Sequence, residues 1–396
     1  GSGGSADHFA LITLAFYPIA LGIGYFVQLD VLFSLWFFYW FARFEELVCI
    51  FLGFREPGMG SKMYELPYLN QQSQGAFIAL ALVSLWIARR HLWAIAVAAF
   101  KGGKEGNTRD FISYRIAFFG CLLCGAFIFG FWYLTGVSLL VLILFFAIYF
   151  LTVIGYTRIR AEAGLPWAFG PNHPPHIFLT WSYGPINMSP QTLTALNYST
   201  WAGWDWRGTT MPHQMEALKI ASSANLRGKD TVKSILVASG VAIIASFITL
   251  LALYYRFGAE SGFVSEDRAQ WPRHTYELLR TYVESGEKAN WWEVLGGVAG
   301  GLAVLGLSWM RKRFLWWPFH PVGYAVSVTY TSVWLWSPLF VVWLVKLLIL
   351  RYGGMRLYRQ GIPFAVGLIL GDYIMTAFWA IVGLIIGQNL YITFPE

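Results

Sequence analysis

Asp372 stands directly after Gly371, inside the apolar run Pro363 to Gly387. An ionisable group at membrane depth is costly to keep, and those that persist pair with a partner, bind a solute or carry a proton. Asp372 suits a proton- or cation-linked carboxylate or a substrate contact. Its structural alternative is a hydrogen bond to a neighbouring helix. Gly367 and Gly371 are expected to bring a second backbone close to it. Arg43, Glu45 and Glu46 form another cluster. Spacing of i, i+3 pairs Arg43 with Glu46 on one helix face and leaves Glu45 to titrate separately. Asp30 lies between two apolar runs. It is expected to accept N–H groups at the start of the second helix, with transport chemistry as the alternative.

Thr157 to Pro166 is a dense polar string directly after an apolar run. Arg158 and Glu162 match i, i+4 pairing. Arg158 or Arg160 would suit a carboxylate or phosphate ligand. His213 and Glu216, at i, i+3 on a helix opening near Thr210 with Pro212 in its first turn, are half of a metal site. His173 and His176 lie beside several prolines. His320, before Pro321, reads as a helix entry. H-E-x-x-H, G-x-S-x-G and Walker signatures are missing, and no nucleophile–base pair stands out. Neither enzyme activity, a resident metal nor a cofactor is expected. Cys49, Cys121 and Cys124 lie in apolar stretches, so the C-x-x-C spacing of the last two reads as small packing residues.

The elements that must position these residues are transmembrane helices. Of 396 residues, 57% are hydrophobic and 12% charged, about half the usual charged share. The mean hydropathy is +0.53. Aromatic residues make up 18% of the chain, suiting the water–lipid boundary. The net charge of +7 comes from short basic clusters between apolar runs, which fits the positive-inside rule and not nucleic-acid binding. The fold class expected is an all-α polytopic bundle of about 8–10 spans with broken or re-entrant helices.

Residues 1–8 read as a linker and 9–396 as one transmembrane domain. Apolar runs cover Phe9–Val27, Val31–Phe54, Gly75–Trp93, Ile116–Leu134, Val137–Tyr156, Val232–Tyr255, Trp291–Met310 and Pro363–Gly387. Arg55 to Gln74 reads as a polar loop. Residues 157–229 read as an irregular, re-entrant segment, and 256–290 as a mixed-charge loop outside the membrane. Gly296, Gly297, Gly300 and Gly301 should permit close helix approach. Val322–Leu350 is too long for one span, and Ser337-Pro338 is expected to divide it into two half-helices or a bent hairpin, the latter favoured by charge. Such a hairpin puts the basic clusters at 101–115, 158–160, 227–233, 311–313 and 351–359 on one side, expected to be cytoplasmic.

The strings Leu29–Tyr39, Leu85–Leu92, Thr157–Pro166, Met211–Glu216 and His320–Tyr324 together resemble an uncharacterised family of large bacterial membrane proteins. The C-terminal part, Leu344–Gly354 and Arg359–Asp372, is remotely similar to the oligopeptide transporter superfamily. That resemblance implies proton-driven secondary transport of peptides or metal chelates in a bacterial inner membrane. It also implies longer relatives, hence a partner chain or preceding segment supplying further spans, or a homo-oligomer. The competing expectation is a non-transporting scaffold or a subunit of a larger membrane complex.

Overall fold

A computed structural model describes residues 14–54, 66–101, 111–165, 168–203, 205–258 and 266–387. The linker expected at 1–8, most of the basic connector 101–115, Pro166 and Glu260 lie outside the described residues. The helices are α1 Pro18–Gly24, α2 Leu29–Phe51, α3 Leu69–Lys101, α4 Tyr114–Leu134, α5 Leu139–Ala163, α6 Pro175–Tyr183, α7 Pro190–Tyr198, α8 Thr200–Gly203, α9 Thr210–Ser223, α10 Gly228–Phe257, α11 Glu266–Ser285, α12 Trp291–Arg313, α13 Pro321–Val326, α14 Tyr330–Leu348 and α15 Gly354–Ile386. Among the described residues there is no strand, and six helical stretches are long and apolar enough to cross a membrane. The chain is an all-α integral membrane protein.

The last of those stretches, Tyr330–Ile386, is α14 and α15 joined through a π-helical turn at Ile349–Gly353. It folds back on itself, with Gly354 at φ +59°. The contacts of α1 show the reversal. Along α14, Ser337 bonds Ala15 and Lys346 bonds Tyr25 and Val27. Along α15 the order inverts, with Tyr358 at Tyr25 and Asp372 at Ile19. The short α1 is therefore wedged between two antiparallel helices. This corrects the reading of Phe9–Val27 as a plain span, since its described part holds only a seven-residue helix.

The expected hairpin before α14 is present, but it turns elsewhere. Phe33 meets both Phe319 and Trp343, Tyr39 stacks on Trp336, and Ala42 packs with Val328. So α13 runs parallel to α2 and α14 runs back antiparallel to it. The reversal falls at Ser327–Thr329, while Pro338 lies within α14. A proline in a helix frees one carbonyl, but at the tip a chain reversal must leave several groups without helical partners. That larger demand is met only where hydroxyl and amide side chains crowd together.

Small residues set the closest helix pair. A Cβ at Gly75 would overlap the Gly297 carbonyl, and one at Gly300 the Gln72 carbonyl. The expectation for the α12 glycines is met. The expectation for α15 is not: Gly367 and Gly371 face open space, and the close approach there is Gly22 of α1 against Ala365 and Ile369. Cys121 and Cys124 likewise do not pack inward, since both are exposed on α4, which buries no residue. Residues 256–290 hold α11, which docks on α7 through Asn197 to Thr275 O (2.8 Å) and on α6 through Trp181 against Tyr282. Helix α11 has the strongest amphipathic pattern of the polar segments, which a loop reading passed over.

Replacing Gly300 by Ala should force α3 and α12 apart and cost about 3 kcal/mol. Gly306, on the same helix but facing open space, should accept Ala neutrally or with a gain of under ~1 kcal/mol. Thermal unfolding of the detergent-solubilised variants checks the contrast. Equal melting temperatures would refute the close-packing account.

Candidate functional site

Helix α3 opens with Asn70-Gln71-Gln72-Ser73-Gln74, following Pro67. Pro just ahead of a helix is a start signal, so these residues are the first turns of α3 and not the end of a loop. All are buried except Gln72, which is half-buried. Each reaches a different neighbour. Ser73 Oγ donates to Ala325 O (2.7 Å) and Gln74 Nε2 to Thr152 Oγ1 (2.7 Å). Gln72 Oε1 accepts from the Tyr324 hydroxyl (2.5 Å), and Asn70 Oδ1 accepts from Asn172 Nδ2 (3.4 Å). Gln71 faces Glu293, a carboxyl with 0% exposure in the first turn of α12.

Two interruptions of regular structure meet this string. One is the hairpin tip. The carbonyls at the end of α13 lose their continuing helical partners, and side chains supply donors: Ser73 on Ala325 O, and Thr329 (2.9 Å) and Ser332 (2.6 Å) hydroxyls on Val326 O, which also accepts from Thr329 N (3.0 Å). The other is the irregular stretch 168–174, most of it buried. Phe169 N donates to Thr331 Oγ1 (2.6 Å), and Asn172 Nδ2 donates to Val328 O (2.7 Å). Tyr156 OH holds Ala168 O (2.8 Å). Irregular backbone at membrane depth is tolerated only where protein or a polar cavity satisfies it. Gln74 and Asn172 each keep a carbonyl oxygen that accepts no hydrogen bond among the described residues, and His176 keeps its Nδ1. The hub is buried inside the bundle, level with Thr152 near the middle of α5 and with the first turns of α3 and α12.

The residues expected to carry chemistry gather mainly at one end of the bundle, above the hub. Arg158 pairs with Glu162 (2.9 Å) and reaches Leu80 O and Ser84 of α3. Glu162 lies 3.8 Å from His320 Nε2. Asp30 pairs with Arg311 (2.5 Å). Its Oδ1 also accepts from Val31 N (3.0 Å) in the first turn of α2, as expected of a helix-start acceptor, although the N-cap position itself is Gln28. Arg160 pairs with Glu216 (2.8 Å), and its guanidinium also meets His213 (3.2 Å). His213 and Glu216 do come together (3.9 Å). With an arginine against both, that geometry favours an ion-pair network over a divalent cation. Among the described residues no group of three or more His, Cys, Asp or Glu is arranged to hold a metal.

Asp372, Glu45 and Glu46 lie apart from this end. Asp372 Oδ2 accepts from Ile19 N at the start of α1 (3.2 Å), which is the structural alternative for that residue. Lys346, not anticipated from sequence, donates to the carbonyls of Tyr25 (2.8 Å) and Val27 (2.6 Å) beyond the other end of α1. Arg43 and Glu46 pair at 2.7 Å as expected. Glu45 is half-buried and interacts electrostatically with Tyr324, so it borders the hub. Sequence reasoning missed the hub itself and Glu293. The signal was present, as five consecutive polar residues between Pro67 and an apolar run.

Replacing Ser73 by Ala would leave Ala325 O without its donor and should cost about 1–2 kcal/mol. Ser84 only bonds Leu80 O one turn back and Arg158 at the polar end, so Ser84→Ala should cost less. Chemical unfolding checks this; equal costs would remove the tip from the set of stabilising features.

His320 caps α13, its Nδ1 accepting from Val322 N (3.2 Å). Burial first, then the Arg311 charge, hold this imidazole down at about 4, against the opposing pull of Glu162 and Asp30. The unfolded chain takes up this proton near pH 6.5. Stability is therefore complete above that pH and falls toward pH 4, by at most ~1.4 kcal/mol per pH unit. In His320→Asn, which keeps an N-cap acceptor, that slope should disappear from the pH dependence of the melting temperature.

No curated protein matches the chain, and no solved structure matches it. The expected likeness to an uncharacterised family finds support, whereas nothing matched supports the likeness to oligopeptide transporters. A family described only as one of unknown function, DUF6785, matches residues 6–395, and the chain belongs to that family.

Proposed function

We propose that the protein is a secondary-transporter-like carrier in which the hub is the solute site. The observation that carries the reading is the meeting of two helix breaks at a buried string of amides and hydroxyls. Carriers of this kind place substrate near the bilayer midplane, where discontinuous helices present polar groups. The unengaged carbonyl oxygens of Gln74 and Asn172 offer acceptors to a solute N–H. That chemistry suits peptides, with metal chelates as the second solute class. Glu45 and Glu293, both bordering the hub, are the carboxylates proposed to couple a proton. Asp372 is withdrawn from that role to the capping of α1. The end carrying Arg158, Arg311 and Arg359 is proposed to face the cytoplasm of a bacterial inner membrane.

The second reading is a subunit of a larger membrane complex, or a homo-oligomer. It is favoured by α4 and α10. Helix α4 buries no residue, and α10 buries only Gly228. Either lipid or a partner's spans must cover those faces.

Proteoliposomes with an imposed proton gradient test the first reading. Wild-type protein should accumulate short peptides. Gln74→Met, which keeps the volume but loses the carbonyl, should cut uptake about tenfold or more with the melting temperature maintained. Uptake unchanged in this variant would overturn the hub as the site. Absence of wild-type uptake of both peptides and chelates would overturn the carrier reading in favour of the subunit.

A further inference from the structure

From Val294 to Gly371 the chain has no acidic residue, yet it carries Arg311, Lys312, Arg313, Lys346, Arg351, Arg356 and Arg359. Arg311 is paired with Asp30 and Lys346 with backbone carbonyls. Arg356 and Arg359 lie on the first turns of α15, where they line a surface pocket together with Met355 and Gln360. All four are exposed, and among the described residues neither arginine has a carboxylate partner. Two arginines at a helix start oppose the helix dipole, which there favours negative charge. An anion in the pocket would relieve both the dipole and the mutual repulsion of the arginines.

The surroundings indicate what kind of anion. Tyr352 (79% exposed), Met355 and Leu357 present apolar surface beside the arginines. Gly354 starts α15 at the same end of the bundle as Asp30 and Arg311, because Tyr358 stacks on Tyr25 (4.8 Å), just before α2 begins. Immediately after Gln360 the helix becomes apolar, from Ile362 to Leu370. The pocket therefore stands at the level where lipid headgroups meet acyl chains. A soluble phosphate would use only the arginines, whereas a phospholipid would also cover the exposed Met355 and Leu357. Basic pockets beside transmembrane helices are suited to anionic headgroups.

We infer that the Arg356–Arg359 pocket binds the phosphate headgroup of an anionic phospholipid, its acyl chains lying along α15. The guanidinium groups bind phosphate through paired N–H donors, and Gln360 supplies a further donor. This site is independent of the transport reading, because it rests on surface chemistry and not on the hub.

Native mass spectrometry of the delipidated full chain in detergent tests it, with phosphatidylglycerol, phosphatidylcholine and inorganic phosphate as separate probes. Wild-type protein should bind phosphatidylglycerol at least tenfold more tightly than phosphatidylcholine. The double variant Arg356→Gln/Arg359→Gln should lose roughly thirtyfold of that affinity. Arg356→Lys/Arg359→Lys should keep the greater part, and Lys229→Gln, in another basic cluster, should change nothing. Phosphatidylglycerol binding unchanged in the Gln double variant, with its melting temperature intact, would overturn the site. Should that variant fail to fold, a Lys double variant that folds but binds no more tightly to phosphatidylglycerol than to phosphatidylcholine would overturn it instead. Displacement of the lipid by millimolar inorganic phosphate would overturn the lipid assignment in favour of a soluble anion.

Discussion

A backbone carbonyl buried away from water must find a donor, and at membrane depth no solvent can supply one. The structure is organised around this constraint at Ala325, Val326 and Val328. Continuous helices meet it by construction. The hairpin tip and the stretch 168–174 do not, and each is completed by side chains from elsewhere: Ser73, Asn172 and Thr331, with Thr329 and Ser332 from the tip itself. Neither interruption is satisfied alone. The tip needs α3 and Asn172, and the irregular stretch needs Thr331 of α14. Their mutual dependence explains why segments separated by 156 residues, Asn172 and Val328, meet at one depth.

This interdependence also accounts for the glycines where α3 meets α12 and α5. The amides of α3 can reach the tip only if α3 comes close to its neighbours. Gly75 and Gly155 permit it, since a Cβ on either would collide with backbone of the adjoining helix. A larger residue would move α3 by the width of a methyl group, enough to break hydrogen bonds 2.7 Å long. Packing and polar satisfaction are thus a single requirement at the hub, with the small residues setting the distances that the hydrogen bonds need.

The helical membrane class was legible in composition, because a 57% hydrophobic share with only 12% charged residues is gathered into runs long enough to span a bilayer. Local pairs were legible too. Arg43–Glu46 and Arg158–Glu162 follow from helical spacing alone. Features requiring two distant segments were not. Asp30 finds Arg311, and Arg160 finds Glu216 and His213, through tertiary approach that no local pattern encodes. The hairpin shows the intermediate case. Its existence followed from length and from the grouping of basic residues, but Pro338 drew attention from the true turn. A proline marks a weak point in a helix, whereas a reversal is marked by the hydroxyls that replace lost hydrogen bonds, here Ser327, Thr329, Thr331 and Ser332. The string Asn70–Gln74 was hidden for the opposite reason: hydropathy places polar residues outside the membrane, and only their burial reveals a site.

The placement of charge separates two tasks. Most ionised pairs lie at the ends of helices, where long side chains reach water and desolvation is smaller. Asp372 and Lys346, both buried, serve α1. One accepts from its first turn and the other donates to carbonyls past its last. A seven-residue helix spans only about 10 Å and is too short to hold itself together. With an anion at its N-terminal end and a cation beyond its C-terminal end, its dipole is balanced from both sides. Asp372, the first carboxylate singled out for chemistry, thus holds a structural hydrogen bond. The groups left unengaged at the hub include neutral amides and an imidazole, Gln74, Asn172 and His176, beside the carboxyl of Glu293. Neutral groups can exchange one hydrogen-bond partner for another without exposing a bare charge to low dielectric, which is the property a site must have if its occupant is to arrive and leave.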